Sequence, residues 1–168
     1  MFDDILQGHY EGWTGLAPQP TLEEFLLSVA PAVIHASQEK SRMATRYCVS
    51  EIQRATPPTS IEAWSVVGSQ EVSIIELGDP PCPDIDLTPD AMGVPELTLE
   101  DKRLSAGYVV SEFIYPQRGI VLSIGEPLAS SARQGRKLFH VRLFPPMSLQ
   151  RYLTHVGEPL SGLPIPGA

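Results

Sequence analysis

This chain is short of cysteine, histidine and basic residues: 2 Cys, 4 His and 12 Lys or Arg among 168 residues. Two thiols do not make a disulfide framework. Cys48 lies in an alternating segment and is expected to be buried, and Cys82 stands between Pro81 and Pro83 in a linker. The two read as unrelated free thiols, and the compartment expected is a reducing cytoplasm. Long apolar runs are missing as well. The longest, Gly119 to Ile124, is strand-sized, far short of the roughly 18 residues that cross a bilayer. The opening Met1-Phe2-Asp3-Asp4 is acidic, so no secretory leader, with its basic start and apolar stretch, is expected there. Twenty acidic residues give a net charge of −8 and a pI near 4.9, which excludes general nucleic-acid binding, a function of positive surfaces.

The motifs of catalysis are absent too. His9, His35, His140 and His155 form no H-x-x-x-H or H-E-x-x-H pair, and no C-x-x-C accompanies them, so no metal site is expected. The strained G-x-S-x-G elbow of a serine nucleophile is missing. Ser37-Gln38-Glu39-Lys40 matches S-x-x-K without the motifs that go with it. Neither a glycine-rich phosphate loop nor a dinucleotide fingerprint appears, so no cofactor is expected. Asp84, Asp86 and Asp90 lack the spacing, turn glycine and terminal glutamate of a calcium loop and read as a solvated connector.

Proline and glycine, by contrast, are abundant, at 17 and 13 residues. That excludes a helical bundle and favours short elements with many turns. At 42% hydrophobic and 19% charged the chain can bury a core. Residues 1–20 read as an N-terminal arm anchored by Trp13. Thr21-Leu22-Glu23-Glu24 is a capping box, followed by Leu22, Phe25, Leu26 and Val29 at helical spacing and ended by Pro31. Residues 30–42 read as a connector. Strands are expected over Met43–Gln53, Ile61–Val67 and Gln70–Leu77, the last two joined by a two-residue Gly68-Ser69 turn. The helix and these strands make a first helix–meander unit, 21–78. An acidic, proline-rich crossing, 79–104, follows, with a short helix through Met92. The second meander and C-terminal helix occupy 105–156: strands Ala106–Tyr115, Ile120–Ile124 and Lys137–Phe144, then a helix capped by Ser148 from Leu149 to Val156. In the last strand Phe139, Val141 and Leu143 are the expected core face. Residues 157–168 form a tail. The fold expected is one compact α+β domain, an antiparallel sheet of about six strands from two helix–meander units with the helices packed on one face.

Tyr115-Pro116-Gln117-Arg118-Gly119-Ile120-Val121-Leu122, with the strand Phe139 to Phe144, resembles the tandem α/β repeat of β-lactamase-inhibitor-like and outer-membrane-assembly-lipoprotein-like proteins. The same turn and strand are similar to those of small bacterial proteins of unknown role. The resemblance covers about 60 residues closely and about 120 loosely, and its Pro-x-x-Gly motif is first of all a turn signal. It implies binding to other proteins rather than catalysis, and it carries over no functional residue. The chain departs from the lipoprotein branch in having no lipidation cysteine and from the inhibitor branch in having no disulfide pair within each unit.

Charge is segregated. Residues 1–101 hold 17 acidic and 4 basic residues, net −13, and residues 102–168 hold 3 and 8, net +5. Two readings stand foremost: the basic half meets an acidic partner protein, or it pairs with the acidic crossing of its own chain; a phosphate or nucleic-acid ligand is left as a third. The candidate partner-binding residues are Trp13, Arg118, Arg133, Arg136, Lys137 and Arg142, with Arg151 following in the last helix. The expectation is a non-catalytic protein-binding module of immunity, inhibitor or adaptor type, with no nucleic-acid or membrane partner. Two alternatives are kept: a small-molecule binder or small enzyme using His140, Tyr115 and Glu112 in a pocket, and a structural subunit of a larger assembly.

Overall fold

The computed structural model describes residues 20–29, 35–40, 44–50, 60–66, 68–78, 92–105, 107–128 and 136–154. Helix α1 (Leu22–Val29) begins where its capping box places it. The Thr21 hydroxyl accepts from the Glu24 backbone N–H at 3.2 Å, and the Glu24 carboxylate accepts from the Thr21 backbone N–H at 2.7 Å. These bonds, the backbone one first, hold the Glu24 carboxyl below its ordinary 4.5. A depressed carboxyl stabilises the fold above the unfolded value, and the benefit disappears as pH falls through the folded one. Thr21→Ala removes the N-cap hydroxyl and is expected to cost about 1 kcal/mol. Most of that gap should persist as the pH drops below 4.5, because the hydroxyl's bond to the Glu24 backbone N–H does not titrate, and only the share carried by its bond to the carboxylate should fade; an unchanged melting temperature at every pH would rule the cap out.

Eight strands form one antiparallel sheet: β1 (His35–Lys40), β2 (Ala44–Ser50), β3 (Ser60–Val66), β4 (Ile74–Gly78), β5 (Leu97–Ser105), β6 (Tyr108–Tyr115), β7 (Ile120–Pro127) and β8 (Lys137–Leu143). Their order is β1-β2-β3-β4-β8-β7-β6-β5, so two runs of sequential strands meet at the β4·β8 seam. The sheet is wider than the expected six strands because β1 and β5 fall in stretches read as connector and acidic crossing. Both are edge strands. An edge has one row of backbone groups facing solvent and tolerates charged residues, so His35–Lys40 and Leu97–Ser105 show no apolar alternation.

The β3–β4 connection is longer than the expected two-residue turn. Gly68 does take positive φ (+86°), with Ser69 N–H donating to Val66 O, but pairing resumes only at Trp64 opposite Ile74. The expected Tyr115–Gly119 turn is a single 3-10 turn, Pro116–Arg118, closed by Gly119 at φ +67°. Gly119 N–H donates to Pro116 O, and its own carbonyl accepts from Phe144 N–H at 2.9 Å.

Both faces of the sheet are covered by buried side chains. Ile61, Ala63, Ile75, Leu77, Leu122, Val141 and Leu143 form the first core with Phe25 of α1 and with the helical Met92. Trp64, Ile74, Ile114, Val121 and Phe144 form a second with Tyr152 of α2 (Leu149–Tyr152). Adjacent residues such as Ile74 and Ile75 fall in different cores, which is the period of two that separates the faces of a sheet. The helices thus flank both faces rather than one, because Ser148 caps α2 and turns it back over Phe144, whose ring lies 5.1 Å from that of Tyr152.

The expected core face of β8 needs one correction. Ser123 pairs with His140 but Ile124 with Leu138, so Phe139 is an extra, bulged residue. The bulge puts Leu138 in the first core with Val141 and Leu143. Phe139 instead lies edge-on to Tyr108 and over Gly125, where any Cβ would strike its ring.

Candidate functional site

The basic residues of the second half meet different fates. Trp13 and Arg133 lie outside the described residues. Arg136 and Lys137 begin β8. There the Arg136 guanidinium pairs with Glu126, and the Lys137 ammonium lies 4.7 Å from the centre of the Phe139 ring. Arg142 is turned inward on the second face. Its side chain is 16% exposed, with Nε 2.7 Å from Glu76 Oε2 and Nη2 3.6 Å from Glu112 Oε1. As a partner-binding residue it must be corrected, since its charge is neutralised within the fold. Burial works against that charge, but Glu76 and then Glu112 outweigh it and raise the pKa above the ordinary arginine value.

Arg118 stands at the other end of β7 from Arg136 and Lys137. It precedes Gly119 and Ile120, whereas Lys137 pairs with Gly125. Five strand steps separate the two groups by about 17 Å. Arg118 instead lies in the 3-10 turn that touches α2, the final helix, which carries Arg151. The 3-10 turn packs against α2, and Met147 N–H donates to Pro116 O at 2.9 Å. Both arginines are exposed. Among the described residues no carboxylate pairs with either. Sequence carries no signal for this: the Met147 to Pro116 bond that sets α2 beside the turn joins residues far apart in the chain.

A second cluster lies on the face beneath α2. Glu76 is its centre, accepting from Arg142 and standing 3.5 Å from His140 Nδ1. The alternation Ile74-Ile75-Glu76-Leu77 places Glu76 away from the first core and directly opposite Arg142, a pattern legible but not used in the sequence. Tyr152, 2% exposed, closes the cluster from above. Burial pushes its hydroxyl above the ordinary 10, while Arg142 draws it back. Of the three residues kept for a pocket, Glu112 and His140 reach this face. Tyr115 belongs to the first core, where its hydroxyl donates to Gly93 O at 3.3 Å.

Among the described residues, no three His, Cys, Asp or Glu side chains converge where they could hold a metal ion, and no helix is long and apolar enough to cross a membrane. Comparison with known protein families, with curated proteins and with solved structures finds no match to the chain.

Proposed function

We propose that the chain is a non-catalytic protein-binding module of a bacterial cytoplasm, of immunity, inhibitor or adaptor type, which meets an acidic surface of its partner with the end of the sheet that carries Arg118. The observation that supports this most is the pairing of the arginines. Arg136 and Arg142 are matched by carboxylates of their own chain, while Arg118 and Arg151 sit exposed on touching elements with no such match among the described residues. Exposed charges of one sign steer encounter with an opposite surface and mostly change the association rate. The same proposal takes the chain as two related halves, each a helix followed by a meander. A strand order that is the same from either edge supports it, as do Phe25 and Met92, which enter one core from the two halves.

Affinity capture from the native host, with the captured protein identified by mass spectrometry, supplies the partner. Arg118→Glu with Arg151→Glu is then expected to weaken capture by about tenfold or more, about 1.4 kcal/mol. Reversal of Arg133, Arg136 and Lys137 should do less, because Arg136 already has Glu126. Capture unchanged by the first pair rejects the surface.

The gathering of Glu112, His140 and Glu76 under Tyr152 favours a second reading, a small-molecule site on that face. A metabolite panel whose thermal shifts are the same for the parent and for Glu112→Gln with His140→Gln removes it.

A further inference from the structure

β5 ends the sheet, and among the described residues no strand pairs with its outer edge. Open edges invite pairing with other chains, and proteins blunt them with bulges and charge. The bulge covers half of this strand only. Its register with β6 slips between Asp101 and Leu104, at Lys102-Arg103. The preceding stretch carries Pro95 and acidic positions 96, 100 and 101 but no register slip. Val94 is 87% exposed and Leu99 46%, and from Leu97 to Asp101 the ladder is regular. A regular edge ladder with exposed apolar side chains is where an added strand can pair.

Charge along the stretch is graded. The Arg118 guanidinium lies beside Gly93, 4.0 Å from where a Cβ would stand, one residue before Val94. Positions 96, 100 and 101 are acidic. A second copy of the chain paired two-fold about Thr98, the middle of the regular stretch, is a poor occupant: it sets Glu96 opposite Glu100 twice, and like charges directly opposed are destabilising. Every pairing in the sheet is antiparallel, and antiparallel addition is the more stable per residue.

We propose that the stretch from Val94 to Asp101 receives an extended segment of the partner protein as an added antiparallel strand. That segment is apolar at alternate positions, acidic at its C-terminal end beside Arg118 and basic at its N-terminal end beside Glu100 and Asp101. The inference rests on the protein-binding reading and adds the mode of binding and the chemistry of the segment.

The probe is a fluorescently labelled peptide, Lys-Lys-Val-Thr-Val-Thr-Val-Glu-Asp, followed by anisotropy against the full chain. A control peptide has the charged ends exchanged. The first is expected to bind saturably and the control about tenfold more weakly. Leu99→Lys should abolish binding with an unchanged melting temperature, since the side chain is exposed, and Arg118→Glu should narrow the preference between the peptides. No binding of the first peptide, equal binding of both, or binding indifferent to Leu99→Lys overturns the proposal. A dimer in solution that Leu99→Lys dissolves gives the edge to a second copy and also overturns it. Partner capture that survives Leu99→Lys but fails with Arg118→Glu and Arg151→Glu overturns strand addition and leaves the protein-binding reading standing.

Discussion

Gly119→Ala is expected to lower the unfolding free energy by about 4 kcal/mol or more, a size reached by few single substitutions. Two costs add. A φ of +67° is the left-handed region, where a side chain costs roughly 1–2 kcal/mol. The new Cβ would also be driven into the Phe144 carbonyl, and Phe144 is wholly buried in the second core. The carbonyl cannot simply withdraw, because the neighbouring Phe144 N–H donates to Gly119 O and Met147 N–H to Pro116 O. Relief would part the 3-10 turn from α2. Marginal domains hold about 5–15 kcal/mol in all, so a chemical denaturation midpoint should fall steeply. A loss within about 0.5 kcal/mol of the parent would show that the turn rearranges freely.

Arg142→Met comes second, with an expected cost of about 3 kcal/mol. Removing one member of a buried ion pair typically costs 3–5 kcal/mol, because the opposite charge keeps its desolvation without its attraction. The lower end applies here, since Arg142 and Glu76 keep 16% and 15% of their side-chain surface in water. The loss takes from Glu76 and Glu112 the guanidinium that both of them face. Adding Glu76→Met should return most of the stability, because two apolar side chains of similar volume need no compensation. Urea unfolding of both singles and the double gives the coupling. A cost below about 1 kcal/mol for the single variant, or no recovery in the double, would contradict the assigned role of the guanidinium.

The first effect falls where the sequence was most legible. An apolar run marked β7 and alternation marked β8, the Pro-x-x-Gly pattern marked the turn between β6 and β7, and Thr21-x-x-Glu24 marked the start of α1. What escaped has physical causes. β1 and β5 carry no apolar alternation because edge strands do not need one. One bulged residue, Phe139, shifted the face of Leu138, and a two-residue period cannot anticipate an insertion of one. The candidate site was legible as a charge excess but not as a place. Strand pairing spreads that excess over both ends of β7 and turns Arg142 inward. Sequence distance hides all of this, since Glu76 and Arg142 are 66 residues apart.

The β4·β8 seam constrains what kind of molecule could have this sheet. Where the two runs of sequential strands meet, Glu76 and Arg142 face each other across the seam. Two identical subunits joined on a two-fold axis must place like opposite like at that point: glutamate against glutamate, or arginine against arginine. Unlike charges at the midpoint require the two halves to differ in sequence. The ion pair therefore favours joining dissimilar halves, and each half carries a penalty against closing on a duplicate of itself.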